Sequence, residues 1–471
     1  MITFIVSVLL LFFGYYFYSR LVERVFLIDK NRQTPAITYS DGVDYVPLPW
    51  YKIFLIQFLN IAGLGPIFGA LAGAMWGPVA FLWIVLGNIF AGAVHDFFSG
   101  MMSIRKNGVS ITEITGDYLG LTVKQVMRIF VLIMMIMVGA VFVTGPAKIL
   151  DSMTKGELGI TFWASIIFVY YILATTLPVD KIIGKIYPVF GLALIIMAVS
   201  VLISMFVKGL PVPELTLNNL HSDAEKFPVF PMMFITIACG AISGFHATQS
   251  PMMARCIQNE RYGRRVFYGA MTVEGLIALI WAAIGMSFWG GVQQLNQVMI
   301  ENQGNAAWAV HHISLNLLGA FGSIIALLGV VAAPITSGDT AFRSARLIIA
   351  DFIKLNQKPI KNRIIISVFI FLAGFLLTQI NFDIIWRYMA WVNQTLATIV
   401  LWTITVYLIK NEKFYLLTLI PSVFMTAVIT TYILFAPEGF NLSKITSYTI
   451  GIVCAIIILI LFFIKTKFYK H

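Results

Sequence analysis

Charge is scarce in this sequence, and so is cysteine. Of 471 residues, 11% are charged and 59% are apolar, with a mean hydropathy of +0.89. A soluble domain of this length could not bury that much apolar surface, so lipid must be the solvent for most of the chain. The three cysteines, Cys239, Cys256 and Cys454, lie in apolar segments. Cys239 and Cys256 are 17 residues apart, which is about 25 Å along one helix at ~1.5 Å per residue and too far for a disulfide. The spacing points to no disulfide and no cysteine-based metal site. Catalytic signatures are missing too: there is no GxSxG, no HExxH, no paired aspartates of an intramembrane protease and no phosphate-binding glycine loop. These absences argue against an enzyme, so no catalytic residue and no cofactor is assigned, and ATP is excluded as the energy source. An ion gradient is left.

Thirteen apolar segments approach the ~20 residues a membrane span needs: 2–20, 50–74, 76–103, 123–147, 160–178, 185–207, 229–254, 266–290, 319–350, 361–380, 383–409, 413–434 and 446–466. The first lacks a basic start and a small-residue cleavage site, so it reads as a retained helix rather than a cleaved signal. With the N-terminus outside and the C-terminus inside, the inner loops hold 26 of the 32 Lys and Arg and the outer loops five (Lys148, Lys155, Lys208, Lys226, Lys444). The inner loops include Lys181, Lys185, Lys358, Lys467 and Lys470. That asymmetry follows the positive-inside rule and accounts for the net charge of +11 without a nucleic-acid partner. The expected organisation is an extra helix at 1–20, an inner linker at 21–49, five helices in 50–207, an outer loop at 208–228, five more in 229–409 and two C-terminal helices in 413–466. The stretch 291–318, with "AAWAVHHISLNLLG", is too short and polar to span and reads as an outer helical loop.

Two spans are interrupted. "NIAGLGPIFGALAG" (Asn60–Gly73) holds four glycines and a proline in 14 residues. Pro66 removes a backbone donor and clashes with the turn before it, and Gly63 and Gly65 loosen the chain. The second span, "VFPMMFITIACGAISGFHATQSPMMA", crowds Ser243, Gly244, His246, Thr248, Gln249, Ser250 and Pro251 together. Spacings of four (Gly65, Gly69, Gly73, Gly77; Gly240, Gly244) also fit close helix packing. The breaks open the first and second sets of five helices. Five is odd, so the second set is inverted, and paired broken helices at corresponding positions point to a midplane binding site. The candidate substrate-binding residues are Gly63, Leu64, Gly65, Pro66, Ser243, Gly244, Phe245, His246, Thr248, Gln249 and Asn393.

Charged residues within the spans are costly and tend to be functional. They are His95 and Asp96, Glu274, and Asp339 with Arg343. Asp339 and Arg343 are four apart and suit an internal ion pair. His95 and Asp96 suit either a proton role or a helix cap. No basic residue lies within four positions of Glu274, so it is a candidate proton carrier. His246 suits a substrate carboxylate or a backbone carbonyl.

Several stretches resemble the carbon starvation protein A (CstA) family: "FLNIAGLGPIFGALAGAMWGPVAFLWIVLGNIFAGAVHDFFSGMMSIRKNGVSITEI", "TIACGAISGFHATQSP", "YGAMTVEG", "TSGDTAFRSARLIIAD" and "VNQTLA". They cover most of 45–410 in order. The chain departs from that pattern in being shorter than the longest members and in reading SGFHATQSP where they read SGFHALISSG. The resemblance implies an all-α polytopic protein of the LeuT-like 5+5 inverted-repeat fold in the bacterial plasma membrane. It also implies secondary uptake of a peptide, pyruvate or similar small acid during carbon starvation. "AGLGP" and "AAPITSGD" resemble the unwound first core helix and the sodium-binding eighth helix of LeuT-fold carriers. By that likeness Leu59, Ala62 and Ala333 carbonyls with Thr336 and Ser337 hydroxyls would surround Na+, the one metal expected. The helix at 185–207 lacks the lysine that some proton-driven relatives place there, beyond Lys185 at its end. A proton remains the other expected coupling ion. The alternative reading is a membrane nutrient sensor of the same fold, which the tail "TKFYKH" disfavours because it holds no signalling domain. The oligomeric state is left open.

Overall fold

In a computed structural model the described residues are 1–467, except Val43, Asp44, Lys155, Leu177, Pro178, Asn356, Lys358 and Asn381. Lys155, Lys358 and Lys470, counted above among the loop cations, lie outside the described residues, as do the side chains of Lys181, Lys185 and Lys467. The chain runs as α1 (Ile2–Phe26), the broken pair α2 (Trp50–Ala62) and α3 (Gly65–Trp76), and α4 (Val79–Arg105). There follow α5 (Ile111–Leu119), α6 (Leu121–Met153), α7 (Ile160–Thr176) and α8 (Val179–Val207). After the loop come α9 (229–236) and α10 (Gly244–Ala254), then α11 (Glu260–Phe288), α12 (Val292–Glu301), α13 (Ala306–Ala326) and α14 (Ala333–Ile353). The chain finishes with α15 (Ile360–Thr378), α16 (Phe382–Lys410), α17 (Leu416–Phe435) and α18 (Lys444–Lys467). Among the described residues the only β pairing is an isolated bridge, Leu48 to Ile257.

Helix occupies each of the thirteen expected segments. Among the described residues, nine helices are long and apolar enough to cross a membrane, or ten if the bent pair α2–α3 is one span. The segments that fall short have physical reasons. Helix α7 has only 17 residues. The 229–254 segment is interrupted. The 319–350 segment is divided at Gly319 (φ 59°, ψ −145°) and by a π-helical stretch at Leu327–Ala332. The helical arm expected at 291–318 is α12 and the part of α13 before Gly319.

The turn-rich linker after α1 is pinned down. Glu260 is fully buried. It takes Arg105 Nε and Nη2, each at 3.1 Å, and the backbone N–H of Asp29 at 2.8 Å. Arg105 also donates to the Leu27 carbonyl. One buried carboxylate therefore joins the linker, α4 and the start of α11. The long α6 packs along α14, α15 and α16, while α2, α4, α10 and α11 pack on one another. That second group surrounds both helix breaks.

Candidate transport site at the helix breaks

The first break is made by backbone. Helix α2 stops at Gly63, whose φ of 45° and ψ of −135° suit glycine, and α3 leaves at a 53° angle. Pro66 sits in the first turn of α3, where its missing N–H costs nothing. A Cβ on Gly65 would lie 2.2 Å from Cys239 Sγ. Gly69 and Gly73 likewise face Thr236 O and Ile237. The glycine stripe is therefore both a break and a packing face, and what it packs on is the second break.

The second break spans 237–243, with Gly240 at φ 89°. Side chains from other helices take its backbone groups. Trp83 Nε1 donates to Ile237 O at 2.9 Å, and Asn88 Nδ2 donates to Gly240 O at 2.9 Å and Met271 O at 2.8 Å. Helix α10 has no cap from its own Ser243. Instead Asn393 on α16 accepts the Phe245 N–H at 2.8 Å and bonds Ser243 Oγ. An amide from another helix thus does the work of an N-cap.

The break delivers His246 into a fully buried cluster. His246 Nδ1 lies 2.8 Å from Asp96 Oδ2, and His95 Nδ1 lies 2.8 Å from Asp96 Oδ1. His246 Nε2 faces Glu274 Oε2 at 3.4 Å. All four side chains are buried. Neither Glu274 oxygen accepts a well-formed hydrogen bond among the described residues, and His95 Nε2 and His246 Nε2 are also unsatisfied. Asp96 therefore bridges two imidazoles rather than capping a helix, and the partner that sequence could not find for Glu274 comes from α10. The chain Asp96–His246–Glu274 can pass or hold a proton between two carboxylates. Cys239 Sγ, His246 and Glu274 also place one donor atom each within 4.8 Å of one another. Spacing between cysteines had shown no such cysteine-containing donor set, because its members come from three elements.

Of the other expected residues, Thr248 donates to the Phe245 carbonyl and Gln249 Nε2 to Thr248 Oγ1 at 2.9 Å, so both bond locally. The hydroxyls expected to face a cation bond to backbone carbonyls. Ser337 Oγ lies 3.1 Å from Leu59 O and 3.3 Å from Ala333 O, and Thr336 Oγ1 lies 2.6 Å from Ala333 O. Ala62 is buried at the end of α2. Asp339 and Arg343 pair at 3.4 Å, and Arg343 also donates to Ala174 O, which is a structural role on α14. Sequence reasoning missed Asn88, Gln57 and Asn60. The two amides of Gln57 and Asn60 are buried on α2 with no hydrogen-bond partner among the described residues. A polar residue inside "FLIQFLNIAG" was the signal available.

A vestibule of about 470 Å³ lies above, walled by Phe68, Trp76, His221, Trp386, Arg387 and Tyr432 among others. Beneath it a cavity of about 30 Å³ touches Gly65, Cys239, Phe245 and Asn393. Thr236, Trp386 and Ala390 line both. The lower space is of the order of one water, so the path narrows to nearly nothing where the breaks meet.

The sequence matches the family described as "Carbon starvation protein CstA" over residues 1–162 and 152–316. The chain belongs to the carbon starvation protein CstA family. An uncharacterized membrane protein of Haemophilus influenzae is 42% identical over 64% of this chain and 94% of its own. The peptide transporter CstA of Campylobacter jejuni is 31% identical over 59% of this chain and 48% of its own. The pyruvate/proton symporter BtsT of Escherichia coli is 28% identical over 59% and 47%. This chain thus spans about half the length of the two transporters it matches. In fold it is similar to a manganese transporter of Eremococcus coleocola (TM-score 0.59, 14% identity, 91% of this chain and 99% of that one). It is also similar to a Na+-coupled sialic acid symporter (TM-score 0.52, 14% identity, 95% and 96%). Among the described residues the CstA-family chain is an all-α, multi-pass membrane protein with a LeuT-like fold.

Proposed function

We propose that this CstA-family protein is a secondary carrier that brings a small carboxylate-bearing nutrient across the bacterial plasma membrane. Its N-terminus lies outside, its C-terminus inside, and its vestibule faces out. The observation that carries this reading is that two broken helices meet, beneath a vestibule, at a buried Asp96–His246–Glu274 chain. Gly65 at the start of α3 and Phe245 in the first turn of α10 both line the small cavity. Helix N-termini carry partial positive charge and suit a carboxylate. A carboxylate arriving beside Asp96 and Glu274 adds negative charge to a water-poor site, so it binds favourably only with a proton. That is positive coupling, and it makes uptake follow the proton gradient. The small cavity favours pyruvate over a peptide, and uptake during carbon starvation is part of this proposal, supported by the description of the family.

A second coupling ion is favoured by one observation. The Ser337 hydroxyl bonds the Leu59 carbonyl across α14 and α2, and with Ala62, Ala333 and Thr336 this gives hard oxygen ligands for sodium. Proteoliposome uptake of labelled pyruvate and of a labelled dipeptide, under a sodium or a proton gradient, tests the reading. Accumulation of pyruvate under the proton gradient supports it. Accumulation under sodium alone moves the coupling to the Ser337 cage. Binding without accumulation under either gradient means a sensor instead.

A further inference from the structure

The second break holds a set of donor atoms that passing a proton does not fully use. Cys239 from the break, His246 from α10 and Glu274 from α11 each offer one donor atom, and the three atoms lie within 4.8 Å of one another. Their bonding is incomplete. Both Glu274 oxygens and His246 Nε2 are buried without a well-formed hydrogen bond among the described residues, which is costly for polar groups. The Cys239 thiol makes a weak 3.9 Å contact to Ser243 Oγ. The imidazole is already oriented. Its Nδ1 lies 2.8 Å from Asp96 Oδ2, and Asp96 is itself held by His95 Nδ1 at 2.8 Å. That leaves Nε2 as the nitrogen facing the other donors, 3.4 Å from Glu274 Oε2. A carboxylate behind one ring nitrogen, with the other nitrogen turned to further donors, is the usual support of a metal-binding histidine.

We propose that Cys239, His246 and Glu274 bind one zinc-like divalent ion, which ties the second break to α11 and stops uptake while it is bound. The donor set selects the metal. Sulfur, nitrogen and oxygen together suit a borderline-soft ion such as Zn2+, whereas Mg2+, Ca2+ and Mn2+ prefer oxygen throughout. The spacing fits as well. Two donors ~2.0–2.1 Å from a tetrahedral zinc lie about 3.4 Å apart, which is the separation of His246 Nε2 and Glu274 Oε2. The thiol is the donor left to close in, by little more than about 1 Å from the 4.8 Å limit. A thiolate and a carboxylate cancel the charge of a divalent ion, so the three donors and the ion together can stay buried. The cavity of about 30 Å³ touches Cys239. It has room for the water that completes a zinc site with three protein ligands, and the residues it shares with the vestibule mark the way in.

Titration of the untagged full chain in detergent with Co2+, a coloured stand-in for Zn2+, tests the site without transport. Co2+ should bind with a thiolate-to-metal absorption band that saturates at one ion per chain, and Zn2+ should displace it. Cys239→Ser should remove the band and weaken Zn2+ binding at least about tenfold, and Asp96→Asn should weaken it about 10–100-fold with the band retained. Cys256→Ser with Cys454→Ser should leave binding as it is. Ser is close in size to Cys, so the outcome does not depend on whether Asp96→Asn folds. No band, a band that survives Cys239→Ser, or Mn2+ bound as tightly as Zn2+ would overturn the proposal. The block on uptake rests on the carrier reading above: Zn2+ should inhibit proton-driven pyruvate uptake by the original chain and not by Cys239→Ser. A chain that binds Co2+ through Cys239 yet takes up no pyruvate in metal-free buffer refutes the carrier reading and supports the metal site. Uptake that ignores saturating Zn2+ overturns the block.

Discussion

The two helix breaks differ in what makes them and in what they hold. The first is a matter of backbone: Gly63 turns, Pro66 starts the next helix, and glycines let it lie against its neighbour. The second has its backbone groups held by Trp83, Asn88 and Asn393 from other helices, and it presents His246 to two carboxylates. One break supplies room and the other supplies charge. Because Gly65 touches Cys239, neither is independent of the other.

The largest effect is expected at the charged break. His246→Ala leaves Asp96 and Glu274 buried without the imidazole between them, which should cost about 3–5 kcal/mol of stability and abolish uptake. Thermal unfolding in detergent and liposome uptake measure the two. A variant as stable and active as the original would mean that the cluster is not coupled.

The neutral break should respond to size alone. Gly65→Ala forces a methyl onto Cys239 and should destabilise by about 1–3 kcal/mol. Cys239→Gly in the same chain should recover most of that loss, which a double-mutant cycle reads as coupling between the breaks. Additive losses would contradict the contact.

Asn393 distinguishes capping from substrate contact. Asn393→Ala should cost about 1 kcal/mol through the lost cap of α10, whereas Asn393→Asp keeps the acceptor for the Phe245 N–H and should keep most of the stability. If Asp is as damaging as Ala to stability, the cap is not what Asn393 provides.

A smaller effect separates the coupling ions. Thr336→Ala with Ser337→Ala should leave proton-driven uptake within about threefold if coupling runs through the acid–imidazole chain, the loss of two ordinary hydrogen bonds to the fold being its only consequence. If sodium is the coupling ion, the same pair should lower cation affinity more than substrate affinity. A sodium titration of uptake decides between the two.

The smallest expected effect lies above the breaks. His221 packs on Trp76, with ring centroids 4.7 Å apart, in the loop over the vestibule. Burial pushes its pKa down from 6.5 to about 4. Between those values the unfolded loop binds more protons than the folded one, so the folded loop loses stability as pH falls from 6.5, and the loss levels off below about 4. Hydrogen exchange across 208–228 at pH 7 and pH 4.5 should show that loosening, and His221→Gln should remove its pH dependence. Equal protection at both pH values would contradict it.

The breaks were legible because glycine, proline and polar residues stand out inside apolar spans. Glu274, His246 and Asp96 were each legible as unusual. Their meeting was not, because contacts between residues 150 and 28 positions apart, on three different helices, leave no local pattern. The cap of α10 was hidden for a related reason: Ser243 stands where a cap belongs, yet the acceptor comes from Asn393. Cys239 was set aside on distance to another cysteine, when its neighbours are a histidine, a carboxylate and Gly65.

The central claim is that Glu274, facing His246, carries the coupling proton. Glu274→Gln in proteoliposomes tests it with two assays on one preparation: counterflow of labelled pyruvate against a trapped unlabelled pool, and accumulation under an imposed proton gradient. Counterflow should survive while gradient-driven accumulation is lost. Accumulation as strong as in the original protein would contradict it.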